Sequence, residues 1–171
     1  MVICPDCGHD NIDGADACEQ CGQSLLDVAA RRPESDLERS ILEDRIGRLA
    51  VRKLIEVRPE TPVADVLSIL AEAGEGCAVI SDEEHQILGI FTERDALMKI
   101  GERIDELADR PIASFMTENV GTLNIDDPIV FLLHRMDVGG YRHVPILVEG
   151  KPAGIVSVRD VLRYLRAHLG V

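Results

Sequence analysis

The sequence predicts a mixed α/β (α+β) protein in which one helix–strand–strand–helix unit occurs twice, after a small cysteine-rich domain. Two observations carry this prediction. The second half of the chain repeats the hydrophobic pattern of the first, and four of the five cysteines lie within residues 1–26. Of the 171 residues, 46% are hydrophobic but only 3% aromatic, so aliphatic side chains must fill the core. We expect a first domain at 1–26, a linker and helix at 27–49, and repeats at 50–108 and 109–171.

Composition and charge argue against several classes of function. The formal charge of −13 repels the phosphate backbones of DNA and RNA and the anionic headgroups of membranes. The chain has no tryptophan and only two tyrosines, so it lacks the side chains on which single-stranded bases stack. No run of about 18 apolar residues predicts a membrane span, and the N-terminus has no signal-peptide pattern. We therefore expect a cytoplasmic protein with reduced thiols.

The first domain is built around two Cys-x-x-Cys-Gly pairs. Cys4 and Cys7 form one pair, Cys18 and Cys21 form the other, and ten residues separate the pairs. Each pair forms a turn that brings two thiolates to one centre, and the following glycine allows the left-handed conformation that closes the turn. Four thiolates around one ion form a closed, structural site. The spacing therefore predicts zinc, with iron in a rubredoxin-like redox site as the alternative.

Two disulfides are a further alternative for these cysteines, but a reducing cytoplasm disfavours them. Cys77 lies in a predicted strand, where we expect a small core residue. The segment resembles the short zinc-ribbon family in Cys-Pro-Asp-Cys-Gly-His at 4–9 and Cys-Glu-Gln-Cys-Gly at 18–22. This resemblance implies a structural zinc ion and a role in docking, and it implies no reaction.

A polar linker containing Arg31, Arg32 and Pro33 is expected next, followed by a helix. Ser35 is suited to cap that helix, with Glu38 three residues later. Apolar residues at helical spacing continue the pattern: Leu37, Ile41, Leu42, Ile46 and Leu49.

Each repeat then runs through the same elements in the same order. Pro62 and Pro128 open a helix, glycines end it, and two short apolar runs follow on either side of a polar turn. The two prolines are 66 positions apart, whereas Asp95 and Asp160 in the closing motifs are 65 apart, so the second hairpin turn is one residue shorter. Such a duplication predicts a pseudo-twofold domain with ligand clefts where the halves meet.

Both repeats close with a strand, a hydroxyl residue and an aspartate at the start of a helix. The two motifs are Gly89-Ile-Phe-Thr92-Glu-Arg94-Asp95 and Gly154-Ile-Val-Ser157-Val-Arg159-Asp160. A hydroxyl followed three residues later by an acid is itself a capping box. The same groups also suit a nucleotide, because a carboxylate can accept both ribose hydroxyls and a helix N-terminus attracts phosphate. The two roles can coexist.

These motifs resemble the signature of CBS domains, as do Tyr141-Arg142-His143-Val144-Pro145 and Phe115-Met116-Thr117 before the second repeat. The resemblance covers about residues 50–171. It implies tandem CBS repeats that often dimerise and that bind AMP, ADP, ATP or a related adenosyl ligand. By this resemblance, Asp95 and Asp160 would bind ribose, aided by Thr92 and Ser157.

Further ligand contacts follow from the same resemblance. Base contacts are expected near Ala78–Val79 and at His143 and Val144, and phosphate contacts at Arg94, Arg142 and Arg159. The first repeat has Gly76-Cys77-Ala78-Val79 where the second has the Arg-His-Val-Pro run. We therefore expect the second repeat to contribute more to binding.

We interpret the whole as a non-enzymatic adenine-nucleotide sensor whose zinc ribbon or dimer face acts on an unidentified target protein. The apolar repeat helices favour a homodimer. One alternative is a structural interaction module with empty clefts, and another is the iron redox protein. Catalysis has the least support, since the five histidines are scattered and no nucleophile–base pair stands at a recognisable spacing.

Overall fold

The computed structural model describes residues 2–12, 14–25 and 35–169. These residues form two compact units. The first comprises the described residues up to Ala50, together with Ile125–Arg142 and the chain from Ser157 onward. The second comprises Val51–Asn124 and His143–Val156. The expected linker at Arg31–Pro33 lies outside the described residues.

The described part of the chain alternates short strands with helices, as the mixed α/β prediction requires. The strands are β1 (Val2–Ile3), β2 (Asp10–Asn11), β3 (Glu56–Val57), β4 (Cys77–Ser81), β5 (Ile87–Thr92), β6 (Leu123–Asn124), β7 (His143–Val148) and β8 (Lys151–Ser157). The α-helices are α1 (Asp36–Glu43), α2 (Val63–Ala73), α3 (Glu93–Asp95), α4 (Ile104–Leu107), α5 (Ile129–Val138) and α6 (Val158–Leu169). None of these helices is long and apolar enough to cross a membrane.

The duplication appears as two three-stranded sheets of the same design. Their strand orders are β3-β4-β5 and β6-β7-β8. In each sheet the first strand (β3 or β6) runs parallel to the central strand (β4 or β7). The third strand (β5 or β8) comes directly after the central strand along the chain. The sequence analysis missed β3 and β6, because a strand of two residues has no periodicity to detect.

The helix and strands of the first repeat enclose an aliphatic core in the second unit. On α2, Val63, Val66 and Leu70 are buried on one face, at the spacing of an amphipathic helix. All five residues of β4 are buried. Helix α2 ends at Gly74, which adopts the left-handed conformation (φ 64°) and donates its N–H to the last turn, as the sequence predicted for a glycine at this end.

Helix α1 is capped as expected but ends earlier than expected. The Ser35 hydroxyl accepts the N–H of Glu38 at 3.1 Å. The apolar pattern predicts a helix as far as Leu49, but the helix ends at Glu43, and Ile46–Arg48 form a 3₁₀ turn. The reason is tertiary: the Asp44 carbonyl accepts the N–H of Ile129 at 2.9 Å, and this pairing holds the chain in an extended conformation.

Each sheet is extended by a short segment that precedes the other repeat. In the second unit, Ile90 of β5 exchanges two backbone hydrogen bonds with Thr117, at 2.8 and 2.9 Å. Ile155 of β8 does the same with Arg52, at 3.0 Å each. Gly89 allows the segment at Thr117 to pack this close to β5, because a Cβ at position 89 would lie 2.6 Å from Met116 Sδ.

The helix after the first signature is irregular, whereas the one after the second is not. Three residues of α3 pass into a π-helix at Ala96–Ile100, on which Leu97 and Met98 are 75% and 77% exposed. Helix α6 continues regularly for 12 residues. The shared sequence motif therefore predicts the start of both helices but not their continuation.

Candidate functional site

The four cysteines of the first domain converge on one point in the first unit. Cys4 and Cys18 are buried, and Cys7 and Cys21 are exposed. Their sulfur atoms all lie within 4.8 Å of one another. The closest pairs cross between the two turns: Cys4 Sγ lies 3.5 Å from Cys21 Sγ, and Cys7 Sγ lies 3.5 Å from Cys18 Sγ.

These distances fit a single tetrahedral ion. Zinc–sulfur bonds of about 2.3 Å place the four sulfurs of a tetrahedral site roughly 3.8 Å apart. A disulfide would instead require a sulfur–sulfur distance of about 2.05 Å. Gly8 and Gly22, which follow the two turns, have positive φ angles of 74° and 75°, as the spacing predicted. The donor set is compatible with zinc or iron.

The pKa values of two thiols in the cluster are shifted in opposite directions. Burial raises the pKa of Cys18, but hydrogen bonds from the backbone of Cys21 and Gln20 outweigh it and lower that pKa to about 6. At Cys21 a backbone hydrogen bond from Gln23 lowers the pKa, but burial and the neighbouring thiols outweigh it and raise that pKa to about 12. Four thiolates repel one another at this distance, so a bound divalent ion would stabilise the ionised set.

The cysteine-rich domain contacts helix α5 within the first unit. Arg135 donates from Nη2 to the backbone carbonyl of Asp6, and its Nη1 lies 3.6 Å from Asp6 Oδ1. Asp6 stands between Cys4 and Cys7, so the first cysteine turn sets its position. The Arg135 side chain is 17% exposed and the Asp6 side chain is 47% exposed, so water screens the carboxylate end of this contact.

The first signature, in the second unit, forms a complete capping box. The Thr92 hydroxyl accepts the N–H of Asp95 at 3.2 Å, and Asp95 Oδ2 accepts the N–H of Thr92 at 2.9 Å. The Thr92 hydroxyl also donates to Asp95 Oδ2 at 2.6 Å. One carboxylate oxygen of Asp95 is therefore committed to the helix start.

The other carboxylate oxygen of Asp95 is bound by residues outside the motif. Lys99 Nζ lies 2.8 Å from Asp95 Oδ1, and the Thr117 hydroxyl donates to the same oxygen at 3.2 Å. Burial raises the pKa of Asp95, but the ammonium of Lys99 and the groups of Thr92 outweigh it and hold that pKa below its ordinary value. Asp95 is therefore a firmly ionised carboxylate at neutral pH.

Ser157 and Asp160 of the second signature lie in the first unit and repeat the cap with a different cation. Asp160 Oδ2 accepts the N–H of Ser157 at 2.8 Å and its hydroxyl at 2.7 Å. Arg163 Nη1 lies 3.3 Å from Asp160 Oδ1. The Asp160 side chain is 1% exposed, whereas Arg163 is 66% exposed, so a surface side chain covers a buried carboxylate.

The remaining predicted ligand contacts lie around these two helix starts. Arg94, Arg142 and Arg159 are all exposed. The carbonyl of Arg142 accepts the N–H of Val158, which brings Arg142 beside the first turn of α6.

The expected base contacts all lie in the second unit. Val144 and the pair Ala78–Val79 are fully buried. His143 is half-buried, and a Cβ added at Gly76 would lie 3.0 Å from His143 Nε2 and 3.2 Å from Glu93 Oε2 of the first signature. Cys77 is buried in β4, as expected for a core residue.

Sequence reasoning missed Lys99, Thr117 and Arg163 as partners of the two aspartates. Lys99 and Arg163 follow their aspartates by four and three residues. That spacing places two charges on one helix face, and it was the only local signal available. Nothing in the sequence pairs Thr117 with Asp95, 22 residues earlier.

A separate shallow groove of about 430 Å³ opens at the far end of the first hairpin in the second unit. Its lining is Glu56, Val57, Arg58, Thr61, Ile69 and His85. Thr92 pairs with Cys77 at one end of β4, and the groove adjoins Ser81 at the other end of that strand. The groove and Thr92 are therefore roughly 13 Å apart along the sheet. The groove therefore does not belong to the first signature.

Comparison with known proteins identifies the repeated unit. A family model described as the CBS domain matches residues 46–102 and again 112–167. An uncharacterized 17.7 kDa protein of Acidianus ambivalens is 33% identical over 122 residues, 71% of this chain and 73% of that protein. A CBS domain-containing protein of Arabidopsis thaliana is 32% identical over 67% of this chain, but the match spans only 21% of that longer protein.

Solved structures agree. An uncharacterized conserved protein from Pyrococcus horikoshii superposes with a TM-score of 0.64 at 28% identity, over 71% of this chain and 92% of that one. A CBS domain protein from Pyrobaculum aerophilum, solved in complex with AMP, gives a TM-score of 0.64 over 74% of this chain and 98% of that one. At 24% identity, this second likeness shows the fold. With two family matches on more than half of its residues, the chain belongs to the CBS-domain family.

Proposed function

We propose that this protein is a non-catalytic, cytoplasmic regulator that binds an adenine nucleotide or a related adenosyl ligand through its CBS pair. The observation that carries the proposal is the duplicated signature, in which an aspartate, partly buried in the first copy and buried in the second, stands beside a hydroxyl at the start of a helix. The AMP complex of a protein with the same fold supports this ligand class. AMP, ADP and ATP share the ribose and phosphate groups that such a helix start would recognise.

The second signature carries the main site in this proposal. A ribose hydroxyl would replace Arg163 on Asp160, because the Arg163 side chain is 66% exposed and contacts the carboxylate at 3.3 Å. The phosphate would lie at the N-terminus of α6, where Arg142 and Arg159 supply local positive charge in a protein whose net charge is −13. His143 and Val144 remain the proposed base contacts of the pair.

We further propose that Cys4, Cys7, Cys18 and Cys21 hold one zinc ion and that the resulting ribbon is a docking module for an unidentified target protein. A closed four-thiolate site supplies structural stabilisation rather than chemistry. The contact between Asp6 and Arg135 offers a route by which a change in α5 would reach the ribbon. A homodimer through the apolar repeat helices completes this proposal.

The test is calorimetry of the purified chain with AMP, ADP, ATP, S-adenosylmethionine and NAD. Binding of at least one adenosyl ligand at micromolar concentration supports the sensor. If none of them binds, the protein is a structural interaction module and the sensor is excluded. A red protein carrying one equivalent of iron would instead favour the redox alternative, since zinc is colourless.

A further inference from the structure

The outer side of the β1–β2 hairpin and one side of helix α6 match each other in shape of charge and in apolar content. We propose that the cysteine-rich domain of one copy docks on α6 of a second copy through these two surfaces. The inference rests on the homodimer of the proposed function and adds which surfaces meet in it. Both surfaces belong to the first unit, so each copy brings both, and a twofold pair forms the same contact twice.

The hairpin surface consists of Ile3, Asp10 and Ile12. Successive side chains of a strand point to opposite sides. Val2 packs against the buried cysteines and Asn11 is buried, so these two residues form the inner side. Ile3 pairs with Asp10 across the hairpin, and Asp10 is exposed. Ile3 is 49% exposed and Ile12 is 68% exposed. The outer side therefore presents two isoleucines beside a carboxylate.

The surroundings of this hairpin surface are acidic. Residues 1–26 contain no lysine or arginine. The described acids of this segment are all exposed: Asp6, Asp10, Asp16 and Glu19. A partner that covers the two isoleucines therefore meets carboxylates at the rim, and a cationic rim on that partner would be attracted to them.

The α6 surface combines an apolar row with a row of arginines. The buried residues of α6 are Asp160, Val161 and Tyr164. Spacings of four and three residues place side chains on one helix face, and the apolar residues at this spacing are Val158, Leu162, Leu165 and Leu169. Leu162 and Leu169 are 59% and 62% exposed. The adjoining row is Arg159, Arg163 and Arg166, all exposed. The one acid of α6 is buried, so its exposed charges are cationic.

Charge favours the hairpin surface over a second α6 as the occupant. In an antiparallel pair of α6 helices the two arginine rows would lie on the same side, and like charges facing each other destabilise an interface. The hairpin surface instead offers isoleucines to the leucines and carboxylates to the guanidinium groups. Within one chain both surfaces are exposed, so a second copy is the occupant that brings the complementary surface.

Photo-crosslinking of the full chain locates the contact. The photoreactive amino acid benzoylphenylalanine, placed at position 12, should cross-link to residues 158–169. Mass spectrometry of a mixture of isotope-labelled and unlabelled copies shows whether the link joins two copies. The same probe at position 83, which is exposed in the second unit, is the control and should not link to α6. Links from position 12 to other segments, or only within one copy, would overturn the inference.

Light scattering over a dilution series tests each side of the contact. Ile12→Ser and Leu162→Ser should each weaken the dimer by about tenfold or more. Asp10→Arg should also weaken it, because it places a cation before the arginine row. Val148→Ser, at a residue 37% exposed on β7, is the control and should leave the dimer unchanged.

The outcomes separate this inference from the proposed function. If Leu162→Ser weakens the dimer while Ile12→Ser and Asp10→Arg do not, α6 meets another surface and the inference is wrong, although the homodimer stands. A strict monomer overturns both the homodimer and this inference. If the contact is found but calorimetry detects no nucleotide binding, the inference stands and the proposed sensor fails.

Discussion

The fully buried hydroxyl of Ser81 donates a hydrogen bond to the carboxylate of Glu56, and His85 Nδ1 lies 2.7 Å from the same carboxylate oxygen. This hydrogen bond from Ser81 lowers the pKa of Glu56; burial opposes the shift, while His85 and Arg58 add to it. The end of β4 is thus joined to β3 by an ionised side chain.

The first prediction concerns the pH dependence of stability. A carboxylate whose folded pKa is depressed stabilises the protein above its unfolded pKa, and the stabilisation is lost as the pH falls through the folded pKa. Glu56→Gln should therefore lower the free energy of unfolding by about 1–2 kcal/mol at pH 7. The difference from the natural protein should shrink as the pH is lowered below about 4, near the ordinary pKa of glutamate.

Urea unfolding at a series of pH values measures this difference. Glu83→Gln, an exposed position in the hairpin turn that contains His85, is the matched control and should change stability little at any pH. If the difference in free energy of unfolding between Glu56→Gln and the natural protein grows as the pH falls, the predicted direction of the pH dependence is wrong.

The second prediction is one tightly bound zinc per chain. Elemental analysis of protein purified without added metal should give one equivalent, because four sulfurs within 4.8 Å suit one tetrahedral ion. Cys18→Ser should lose the metal, whereas Cys77→Ser, in the core of the other unit, should retain it. One equivalent of iron, or no metal with two disulfides, would contradict this.

The third prediction compares the two signature aspartates. Asp160→Ala should weaken AMP binding by roughly 10- to 150-fold, the effect of losing a charged acceptor worth on the order of 1.5–3 kcal/mol. Asp95→Ala should leave AMP affinity nearly unchanged and lower stability by about 0.5–2 kcal/mol, as expected of a capping residue. Calorimetry with thermal melts separates the effects. AMP affinity like that of the natural protein in Asp160→Ala, with an earlier melt, would reduce the second motif to a cap.

The fourth prediction tests whether the cysteine turn, as the proposed zinc site, is coupled to α5. Removing zinc with a chelator should speed amide exchange in α5 of the natural protein, because Asp6 would no longer be held against Arg135. In Arg135→Gln exchange should already be fast, and the chelator should change it little. Arg39→Gln, an exposed arginine on α1, should behave like the natural protein. Equal responses to the chelator in both variants would rule the coupling out.

The fifth prediction is a homodimer. Light scattering at micromolar concentration should give about twice the chain mass of 18.8 kDa. Leu97→Glu, at a position 75% exposed on the π-helix, should shift the equilibrium toward the monomer. A strict monomer at all concentrations would refute the prediction.

The sequence was informative wherever a residue type acts locally. Proline at helix starts, Gly74 at a helix end and the Ser35 cap all behave as predicted, since each depends on neighbours within a few residues. The clustering of the four cysteines was also predictable, because the Cys-x-x-Cys spacing brings the two thiols of each pair together.

What the sequence did not reveal depends on contacts between distant segments. Helix α1 ends at Glu43 because the backbone around Asp44 pairs with residues far along the chain. Thr117 reaches Asp95 only because the segment after the first repeat folds back onto β5. No local pattern encodes either contact. The capping box has the same sequence whether or not a distant residue also binds its carboxylate.

The paired segments at Ile90–Thr117 and Arg52–Ile155 have a consequence for how this chain folds. Closing the second pair brings together residues about a hundred positions apart, so native topology cannot be completed until most of the chain has emerged and collapsed. A fragment cut between the repeats, near residue 108, would leave one edge of each sheet without its natural neighbour. Such unpaired edges invite association with another copy. Co-expressed halves should therefore reassemble with each other rather than persist as independent half-proteins.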